Sequence, residues 1–359
     1  MNPIFWHGKK VFLTGHTGFK GGWLSLWLQS LGADLTGFAL SPPTNPSLFE
    51  QARVADGMHS KIGDIRNLEW LQAEIQKAQP EIVLHLAAQP LVRYSYENPI
   101  ETYSTNVMGT VNMLEAIRST SSVKSVVIVT TDKCYENREW VWPYRESEAM
   151  GGHDPYSSSK GCAELVVAAY RSSYFNPFEY KQHGVGIATA RAGNVIGGGD
   201  WSKDRLIPDI LNAINLGTSV QLRNPNAIRP WQHVLEPLHG YLTLAEKLYD
   251  DGQNFSDAWN FGPEQADCIS VLDIANKLIE ISGSKSNIEI ERNDDQPHEA
   301  RLLRLDITKA KNFLDWRPYL NINTALRLTA NWSQFHSKND ELRNITLLQI
   351  KSYQDLLGH

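Results

Sequence analysis

Residues 11–22 read V-F-L-T-G-H-T-G-F-K-G-G, and this stretch decides the fold class. Residues 11–13 are an apolar run typical of a short buried strand, and residues 23–31 carry apolar side chains at helical spacing. The turn between them contains three glycines at three-residue spacing, Gly15, Gly18 and Gly21. Missing side chains let the backbone approach a phosphate, and a helix N-terminus offers unpaired N–H groups. The stretch therefore predicts a dinucleotide site, with a structural tight turn as the alternative.

The rest of the chain extends this pattern. Strand-like runs occupy residues 11–13, 35–40, 82–86, 125–130 and 186–190, and helical patterns occupy residues 23–31, 68–78, 99–118 and 157–174. Such alternation predicts crossover units and a parallel sheet with helices on both faces. We expect an α/β protein, a Rossmann-type doubly wound parallel sheet with a smaller C-terminal α/β substrate lobe. The expected domains are residues 1–192, with a return segment near 232–266, and residues 193–359. Residues 345–357 predict a terminal helix that packs onto another subunit.

The composition limits the possible functions. Of the 359 residues 42% are hydrophobic and 21% are charged, which is ordinary for a soluble globular protein. The net charge of −6 argues against general nucleic-acid binding. Three widely spaced cysteines favour reduced thiols, and no pair has zinc-ligand spacing, so no metal site is predicted. No apolar stretch is long enough to span a bilayer and the polar start does not match a signal peptide, so we predict a cytoplasmic protein without membrane contact.

The clearest candidate for catalysis is Y-S-S-S-K at residues 156–160. Residues four apart share a helix face, so Tyr156 and Lys160 are expected to be neighbours. An ammonium group beside a phenol favours the phenolate and lowers the tyrosine pKa, which would make Tyr156 a base near neutral pH. Of thirteen tyrosines, only Tyr156 has a lysine four residues later. A plain surface pair is the alternative.

Polar residues also follow the predicted strand at residues 125–130. Thr131, Asp132 and Lys133 follow directly after Thr130, and they are either functional or part of a solvated strand end. Asn106 lies within the predicted helix 99–118, where asparagine is locally unfavourable, so we expect it to hydrogen-bond toward the active site.

Other positions are open to two interpretations. Asp64 follows a short strand, where it could accept from an adenine amino group or cap the helix that begins at Leu68. The second strand lacks the acidic end that usually binds the adenosine ribose, which leaves the choice between NAD and NADP open. Arg205 and Arg229 are candidates for gripping a substrate pyrophosphate, and Trp231 for stacking on a base. Placement in the core or on the surface is the default for each of these three.

Five strings carry a resemblance to a known family: T-G-H-T-G-F-K-G at 14–21, T-T-D-K-C-Y at 130–135, Y-S-S-S-K at 156–160, R-A-G-N-V-I-G-G-G-D-W at 191–201 and R-P-W-Q-H-V at 229–234. Over essentially its full length the chain resembles the extended short-chain dehydrogenase/reductases that act on nucleotide sugars. Within them it is similar to the 4,6-dehydratases of the CDP-sugar branch. The resemblance implies the cofactor NAD, a CDP-glucose substrate and a homodimer or homotetramer.

The resemblance also implies a reaction: oxidation at carbon 4, elimination of water across carbons 5 and 6, and hydride return to carbon 6. Tyr156, helped by Lys160, would take the proton of the 4-hydroxyl group, and Thr131 would hydrogen-bond the 4-oxygen. Asp132 matches the acid that protonates the 6-hydroxyl group. Related dTDP-glucose dehydratases carry glutamate as the carbon 5 base directly after this aspartate, whereas this chain has Lys133. Our hypothesis is that Lys133 is the base.

Two other functions stay open. A nucleotide-sugar 4-epimerase would use the same tyrosine and lysine, although it needs no acid and base for dehydration, so Asp132 and Lys133 count against it. A non-catalytic NAD(P)-binding sensor usually lacks Tyr156 or Lys160, and both are present here.

Further candidates complete the predicted site. The predicted cofactor contacts are Gly15, Thr17, Gly18, Phe19, Gly21, Asp64, Ile65, Leu86, Ala87, Ala88, Thr130, Tyr156 and Lys160. The predicted substrate contacts are Gln89, Arg93, Asn194, Arg205, Leu206, Arg229, Trp231, His233 and His298.

Overall fold

The structure is a computed structural model that describes residues 1–290, 302–334 and 339–358. The strands are β1 (Lys10–Thr14), β2 (Asp34–Ala39), β3 (His59–Ile62), β4 (Ile82–His85), β5 (Ser125–Val129), β6 (Gly186–Ala192), β7 (Val195–Ile196), β8 (Val220–Leu222), β9 (Ile228–Pro230), β10 (Gln232–His233), β11 (Ala258–Phe261), β12 (Cys268–Ser270) and β13 (Ile288–Ile290). The α-helices are α1 (Pro3–Trp6), α2 (Phe19–Ser30), α3 (Leu48–Gln51), α4 (Leu68–Ala78), α5 (Val92–Glu97), α6 (Pro99–Tyr103), α7 (Gly109–Arg118), α8 (Pro155–Ser173), α9 (Tyr180–His183), α10 (Leu206–Leu216), α11 (Leu235–Phe255), α12 (Val271–Ile281), α13 (Thr308–Leu314), α14 (Ile322–Gln334) and α15 (Asn339–Leu356).

Seven parallel strands form the central sheet, in the order β11-β6-β5-β4-β1-β2-β3. The strand order extends outward from β1 in both directions, which is the doubly wound arrangement, and the predicted fold class is confirmed. Every residue of β4, β5 and β6 is buried, because helices cover both faces of the sheet. The carboxyl ends of β1, β4 and β5 meet at one edge, where ligands of such sheets bind.

Two apolar clusters hold helices to the two faces of the sheet. On one face, Phe12 and Val126 pack with side chains of α4, α7 and α8. On the other, Leu13 and Val127 pack with side chains of α2 and α11. After the smaller lobe begins, the chain returns through α11 and adds β11 to the sheet beside β6. The domain limits 1–192 and 193–359 stay predictions.

The helix predicted over residues 99–118 is interrupted. It begins as α6, continues as a π-helical turn at Ser104–Met108 and resumes as α7. Asn106 lies in this turn and is buried, and its side chain hydrogen-bonds outside the helix. The wider turn carries one extra residue, which directs the amide inward, and such turns occur frequently at functional sites.

The smaller lobe has its own apolar cluster, built mainly from α10, α12 and α14. The triple-glycine loop 197–199 joins this lobe to the sheet. The indole of Trp23 on α2 donates to the Gly198 carbonyl oxygen at 2.9 Å, and a Cβ at Gly198 would lie 2.0 Å from the Trp332 ring. Only glycine fits between these two tryptophans.

The terminal helix α15 packs within its own chain. Arg343 donates to the carbonyl oxygens of Ala52 and Arg53, and Tyr353 makes an edge contact with Trp27 at 5.8 Å between ring centres. The predicted terminal helix is found, and its packing onto another subunit stays a prediction, because Leu348 and Leu356 on the same helix remain exposed. Among the residues described, no helix is both long and apolar enough to cross a membrane.

Candidate active site

The glycine turn after β1 has the geometry of a phosphate cradle. A Cβ at Gly21 would lie 2.0 Å from the Gly15 carbonyl oxygen, and one at Gly15, where φ is +79°, would lie 2.8 Å from the Ala87 nitrogen. These two glycines close the turn tightly. A Cβ at Gly18 would meet its first neighbour only at 3.5 Å, so the turn has space on that side. A dinucleotide pyrophosphate at the N-terminus of α2 fits this arrangement.

The loop after β4 is fastened beside the cradle. The Thr14 hydroxyl accepts from the backbone N–H groups of Leu86 and Ala87, at 3.1 Å each, and lies 2.8 Å from His85 Nδ1. Burial, with a smaller contribution from the Lys160 charge, lowers the pKa of His85 to about 3, so its ring is neutral. These contacts hold Leu86, Ala87 and Ala88 next to Gly15, as expected for a surface on which a flat ring could lie.

The surroundings of Asp64 differ from one of its two predicted roles. Asp64 does not cap α4: its carboxylate forms an ion pair with Arg66 at 2.6 Å, and the cap is Asn67, which accepts from the Trp70 N–H group. The capping interpretation of Asp64 is therefore wrong, because Asn67 lies one residue before the helix and Asp64 lies too early. The Thr17 hydroxyl donates to the Leu40 carbonyl oxygen at 2.8 Å.

Two more predicted cofactor contacts have packing roles. The Ile65 side chain packs against Gly109, where a Cβ would lie 2.4 Å from it. Phe19, the first residue of α2, packs beside Gly197, where a Cβ would lie 3.2 Å from its ring.

Tyr156 lies in the first turn of α8. The Asp154 carboxylate caps this helix by accepting from the Ser157 N–H group at 2.9 Å, and the Ser95 hydroxyl accepts from the Tyr156 N–H group. Burial raises the pKa of Tyr156 to about 12, partly offset by a hydrogen bond with Thr131. The predicted lowering of this pKa is therefore not found, because burial of the phenolate outweighs the Thr131 hydrogen bond and the positive charge of Arg205. The structure does bring Tyr156 and Thr131 together.

Lys160 lies one turn further along α8 and is buried. Its ammonium group donates to the Val129 carbonyl oxygen at 3.2 Å, at the end of β5. Burial lowers the pKa of Lys160 to about 8, and the Glu164 carboxylate acts in the opposite direction. The lysine is thus anchored to the strand end that carries Thr130 and Thr131.

The segment after β5 presents one free carboxylate oxygen. The Thr131 hydroxyl donates to Asp132 Oδ1 at 3.0 Å, whereas Asp132 Oδ2 is buried and has no hydrogen-bond partner in the described part of the chain. A Cβ at Gly193 would lie 3.1 Å from Oδ2, so glycine leaves room in front of it. Lys133 is half-buried, in the short 3₁₀ turn Asp132–Cys134.

Asn106 links two sides of the site, as its position in the sequence predicted. Its side chain accepts from the Gln89 N–H group at 2.8 Å and donates to the Gln89 carbonyl oxygen and to the Ser159 hydroxyl. The Gln89 side chain is engaged too, since it bonds both backbone groups of Leu91 and the Thr102 hydroxyl. Gln89 thus stabilises the loop in which it lies. These hydrogen bonds occupy the side chain that was predicted to contact substrate.

Several predicted substrate contacts lie where the smaller lobe meets the site. Arg205 directly precedes α10 and forms an ion pair with Asp200 at 2.8 Å. Its positive charge acts to lower the pKa of Tyr156. Leu206 is the first residue of α10. The Asn194 side-chain oxygen is buried without a partner among the described residues. Arg93 on α5 lies 3.9 Å from Asp204, so a contact spans the entry.

Three of the predicted substrate residues are buried in packed surroundings. Trp231 belongs to the small-lobe cluster, and its indole donates to the Ile269 carbonyl oxygen at 3.1 Å, which favours the core interpretation. Arg229 is buried and donates to the Ile228 carbonyl oxygen. His233 is fully buried against Trp23, and burial lowers its pKa to about 3. His298 lies outside the described residues.

The structure adds Lys20, which the sequence reasoning passed over. Burial and, to a smaller extent, the charges of Lys160 and Arg205 lower the pKa of Lys20 to about 7, and the Asp132 charge acts in the opposite direction. Its ammonium group lies 6.0 Å from the centre of the Tyr241 ring. The sequence signal that could have identified Lys20 is a charged residue in the first turn of an otherwise apolar helix.

A family model for GDP-mannose 4,6-dehydratase matches residues 12–329. The chain belongs to the GDP-mannose 4,6-dehydratase family. The CDP-glucose 4,6-dehydratase of Salmonella typhimurium is 54% identical over 349 residues, covering 97% of this chain and 97% of its own length. The predicted membership and the enzyme class, a hydro-lyase of the 4,6-dehydratase type, are confirmed.

Solved structures of this fold include different activities. The dTDP-glucose 4,6-dehydratase of Bacillus anthracis in complex with NAD has a TM-score of 0.76 at 23% identity, covering 92% of this chain and 98% of its own. The UDP-glucose 4-epimerase of Thermotoga maritima with UDP-glucose has a TM-score of 0.76 at 22% identity, covering 91% and 99%. A dehydratase and an epimerase thus match equally well, so the fold alone does not separate these functions, whereas family membership favours the dehydratase.

Proposed function

We propose that this member of the GDP-mannose 4,6-dehydratase family converts CDP-glucose to CDP-4-keto-6-deoxyglucose, with NAD as cofactor. The observation that carries the choice of substrate is the 54% identity to the Salmonella enzyme across 97% of both chains. The site geometry supports the chemistry, since Tyr156, Thr131 and Asp132 lie together and Asp132 interacts with Lys20 in the first turn of α2.

The cofactor would lie along the cradle and the β4 loop. Gly15, Gly18 and Gly21 would admit its pyrophosphate, and the surface formed by Ala87 and Ala88 would support its ring. When bound, NAD would accept a hydride from carbon 4 of the sugar and return one to carbon 6. Thr17, Phe19, Asp64, Ile65, Leu86 and Thr130 are the further proposed contacts.

Oxidation at carbon 4 requires a proton acceptor. Tyr156 would take the proton of the 4-hydroxyl group, and the Thr131 hydroxyl would hydrogen-bond the same oxygen. Burial makes the free phenolate costly, so the positive charge of Lys160, one helical turn away, would stabilise it during proton transfer. Lys160 would keep its own position through the Val129 carbonyl group.

Elimination of water requires a base at carbon 5 and an acid at the 6-hydroxyl group. Asp132 is proposed as the acid, because its unpartnered Oδ2 atom has room in front of it. Lys133 is proposed as the base, because it follows Asp132 and its side chain is not engaged by any ion pair within residues 1–290, 302–334 and 339–358. A lysine accepts a proton only in its neutral form.

The nucleotide end of the substrate would extend toward the smaller lobe. Arg205 would bind its pyrophosphate, with Asn194 and Leu206 beside it and Arg93 across the entry. Gln89, Arg229, Trp231, His233 and His298 are the remaining proposed contacts.

The protein is also proposed to form a homodimer or homotetramer. Ile100, Met108 and Leu165 expose apolar side chains on the adjacent segments α6, the π-helical turn and α8. Large exposed apolar side chains on neighbouring helices favour burial of this surface against a second subunit.

The test is direct. Purified protein is incubated with CDP-glucose and NAD, and the product is followed by the absorbance of a 4-keto sugar in alkali. We expect absorbance that depends on both compounds, and none with CDP-glucose alone from protein stripped of nucleotide. Formation of CDP-galactose instead would identify a 4-epimerase, and no product would contradict the proposal.

A further inference from the structure

Glu164 lies beneath the proposed catalytic segment without touching any group assigned to substrate. It follows Lys160 by four residues on α8, so both side chains share one helix face. Its buried carboxylate accepts from Arg191 at 2.7 Å, from the Thr189 hydroxyl at 2.8 Å and from the Thr130 hydroxyl. Three donors to one buried carboxylate make a fixed, fully bonded anion.

Arg191 extends this contact to a second point. Its guanidinium group donates to the Tyr135 hydroxyl at 2.7 Å and to the Glu146 carbonyl oxygen at 3.0 Å, and lies 4.9 Å from the centre of the Tyr135 ring. The Tyr135 hydroxyl in turn donates to Asn260 on β11 at 2.7 Å. Burial by itself would lower the pKa of Arg191, but the Glu164 charge raises it, so the guanidinium stays charged.

The two residues held in this way bracket the segment that carries the chemistry. Thr130 directly precedes Thr131, and Tyr135 comes two residues after Lys133. Glu164 holds the first end and Arg191 holds the second. Because the two are paired with each other, the ends of the segment are fixed to one rigid group.

We propose that the Glu164–Arg191 pair is a positioning device for this reaction: it fixes both ends of the segment 130–135, and the Glu164 carboxylate is the counter-charge one helical turn from Lys160. This inference rests on the proposed function, in which Thr131, Asp132 and Lys160 act. Neither Glu164 nor Arg191 reaches the sugar. Both act through the residues they hold.

The charges around Lys160 explain why a counter-charge is needed. Lys20 from α2 faces it with the same charge, and His85 from β4 is neutral. Burial raises the pKa of the Cys134 thiol, so this group is neutral as well. Glu164 is the anion among these neighbours. Without it, the pKa of Lys160 would fall below its value of about 8.

The first test is Glu164→Gln, which keeps the shape of the side chain and removes the charge. We expect kcat for the 4-keto product at pH 7 to fall by about 100-fold, because the reacting groups are displaced. We also expect the alkaline limb of kcat against pH to move to lower pH by about one unit, because Lys160 loses its proton earlier. An NMR titration of ¹³C-labelled lysine, assigned with Lys160→Met, reports the same shift without turnover.

A second variant guards against misfolding. Glu164→Gln alone leaves Arg191 as an unpaired buried charge, which destabilises strongly, whereas Glu164→Gln with Arg191→Gln removes both charges. The double variant should unfold close to the wild-type temperature and still show the shifted titration. Tyr135→Phe should lower kcat without moving the alkaline limb, because it releases only the far end of the segment.

Glu246→Gln is the matched control. Glu246 is also a buried carboxylate, but it accepts from Trp6 and Asn2, far from the site in sequence and on a different helix. It should alter stability alone. An unchanged Lys160 titration in both Glu164 variants overturns the counter-charge role, and an unchanged kcat overturns the fixing of the segment. Wild-type protein that makes no 4-keto sugar contradicts the proposed function instead, and the lysine titration still decides the present inference.

Discussion

At the scale of single residues, the unusual feature is Lys133, an amine directly beside the Asp132 carboxylate. Lys133 stands next to Asp132 in a turn whose backbone is fixed by the Thr131 hydroxyl, which accepts from the Lys133 N–H group. The base and the acid of the proposed elimination are therefore adjacent along the chain. Their separate contributions are testable because each acts at a different carbon of the sugar.

Lys133→Met should stop the entry of solvent deuterium at carbon 5, because methionine has similar length and cannot accept a proton. Oxidation of bound sugar at carbon 4 should continue. Single-turnover reactions in D₂O, with mass spectrometry of the sugar and absorbance of reduced cofactor, measure both events. Undiminished exchange at carbon 5 would remove Lys133 from the role of base.

Asp132→Asn should slow the loss of water more than oxidation, by about 100-fold, because a positioned acid contributes at least that much to proton transfer. The amide can still accept from Thr131, so the turn is expected to persist. Rapid-quench measurement of the oxidised and dehydrated sugars separates the two steps. If both steps slow equally, Asp132 has a structural role.

At the scale of elements, the turn between β1 and α2 shows how one motif serves two purposes. Gly15 and Gly21 are required by the fold, because their missing side chains let the turn close against backbone atoms. Gly18 has space in front of it and is required only if a ligand lies there. A matched pair of alanine variants can therefore separate folding from cofactor binding within the same seven residues.

Gly21→Ala should lower the free energy of unfolding by about 3 kcal/mol or more, since the new methyl group overlaps a backbone oxygen. Gly18→Ala should leave stability nearly unchanged and weaken NAD binding by about tenfold or more, which corresponds to about 1.4 kcal/mol. Urea unfolding and calorimetric titration with NAD measure the two effects. Full NAD affinity in Gly18→Ala would contradict the proposed cradle.

At the scale of the whole molecule, the terminal helix α15 packs against its own chain, whereas α6 and α8 expose apolar side chains to solvent. The apolar side of α15 is covered by α2 of the same chain, and Glu236 on α11 ties it further by accepting from the Tyr353 hydroxyl at 2.7 Å. The outer faces of α6 and α8 keep exposed apolar side chains. If subunits associate, these two helices are the expected contact.

Leu165→Glu should reduce the oligomer to a smaller species, because Leu165 is 60% exposed on α8 and a buried charge there would be unpaired. Phe313→Glu is the control, since Phe313 is 66% exposed on α13, away from the proposed contact. Sedimentation velocity measures both variants. Association unchanged in Leu165→Glu would place the contact elsewhere, and a monomeric wild-type protein would contradict the oligomer itself.

Much of the architecture was available from the sequence, because alternating strand and helix patterns and a glycine turn are local signals. The predicted helix over residues 68–78 matches α4, and the predicted strand at 82–86 differs from β4 by one residue at its end. The π-helical turn around Asn106 was not predicted, since the Asn106 side chain bonds to Gln89, a residue in a different element.

The sequence by itself determined the order of strands and helices and brought forward Tyr156, Lys160 and the segment after β5, because each depends on spacing along the chain. Only the tertiary structure decided the protonation behaviour of Tyr156, the environment of Lys20 and the link from Glu164 through Arg191 to Tyr135. These depend on burial and on charges contributed by separate elements. No pattern within a single stretch of sequence contains that information, since the neighbours that set an electrostatic environment are assembled by folding.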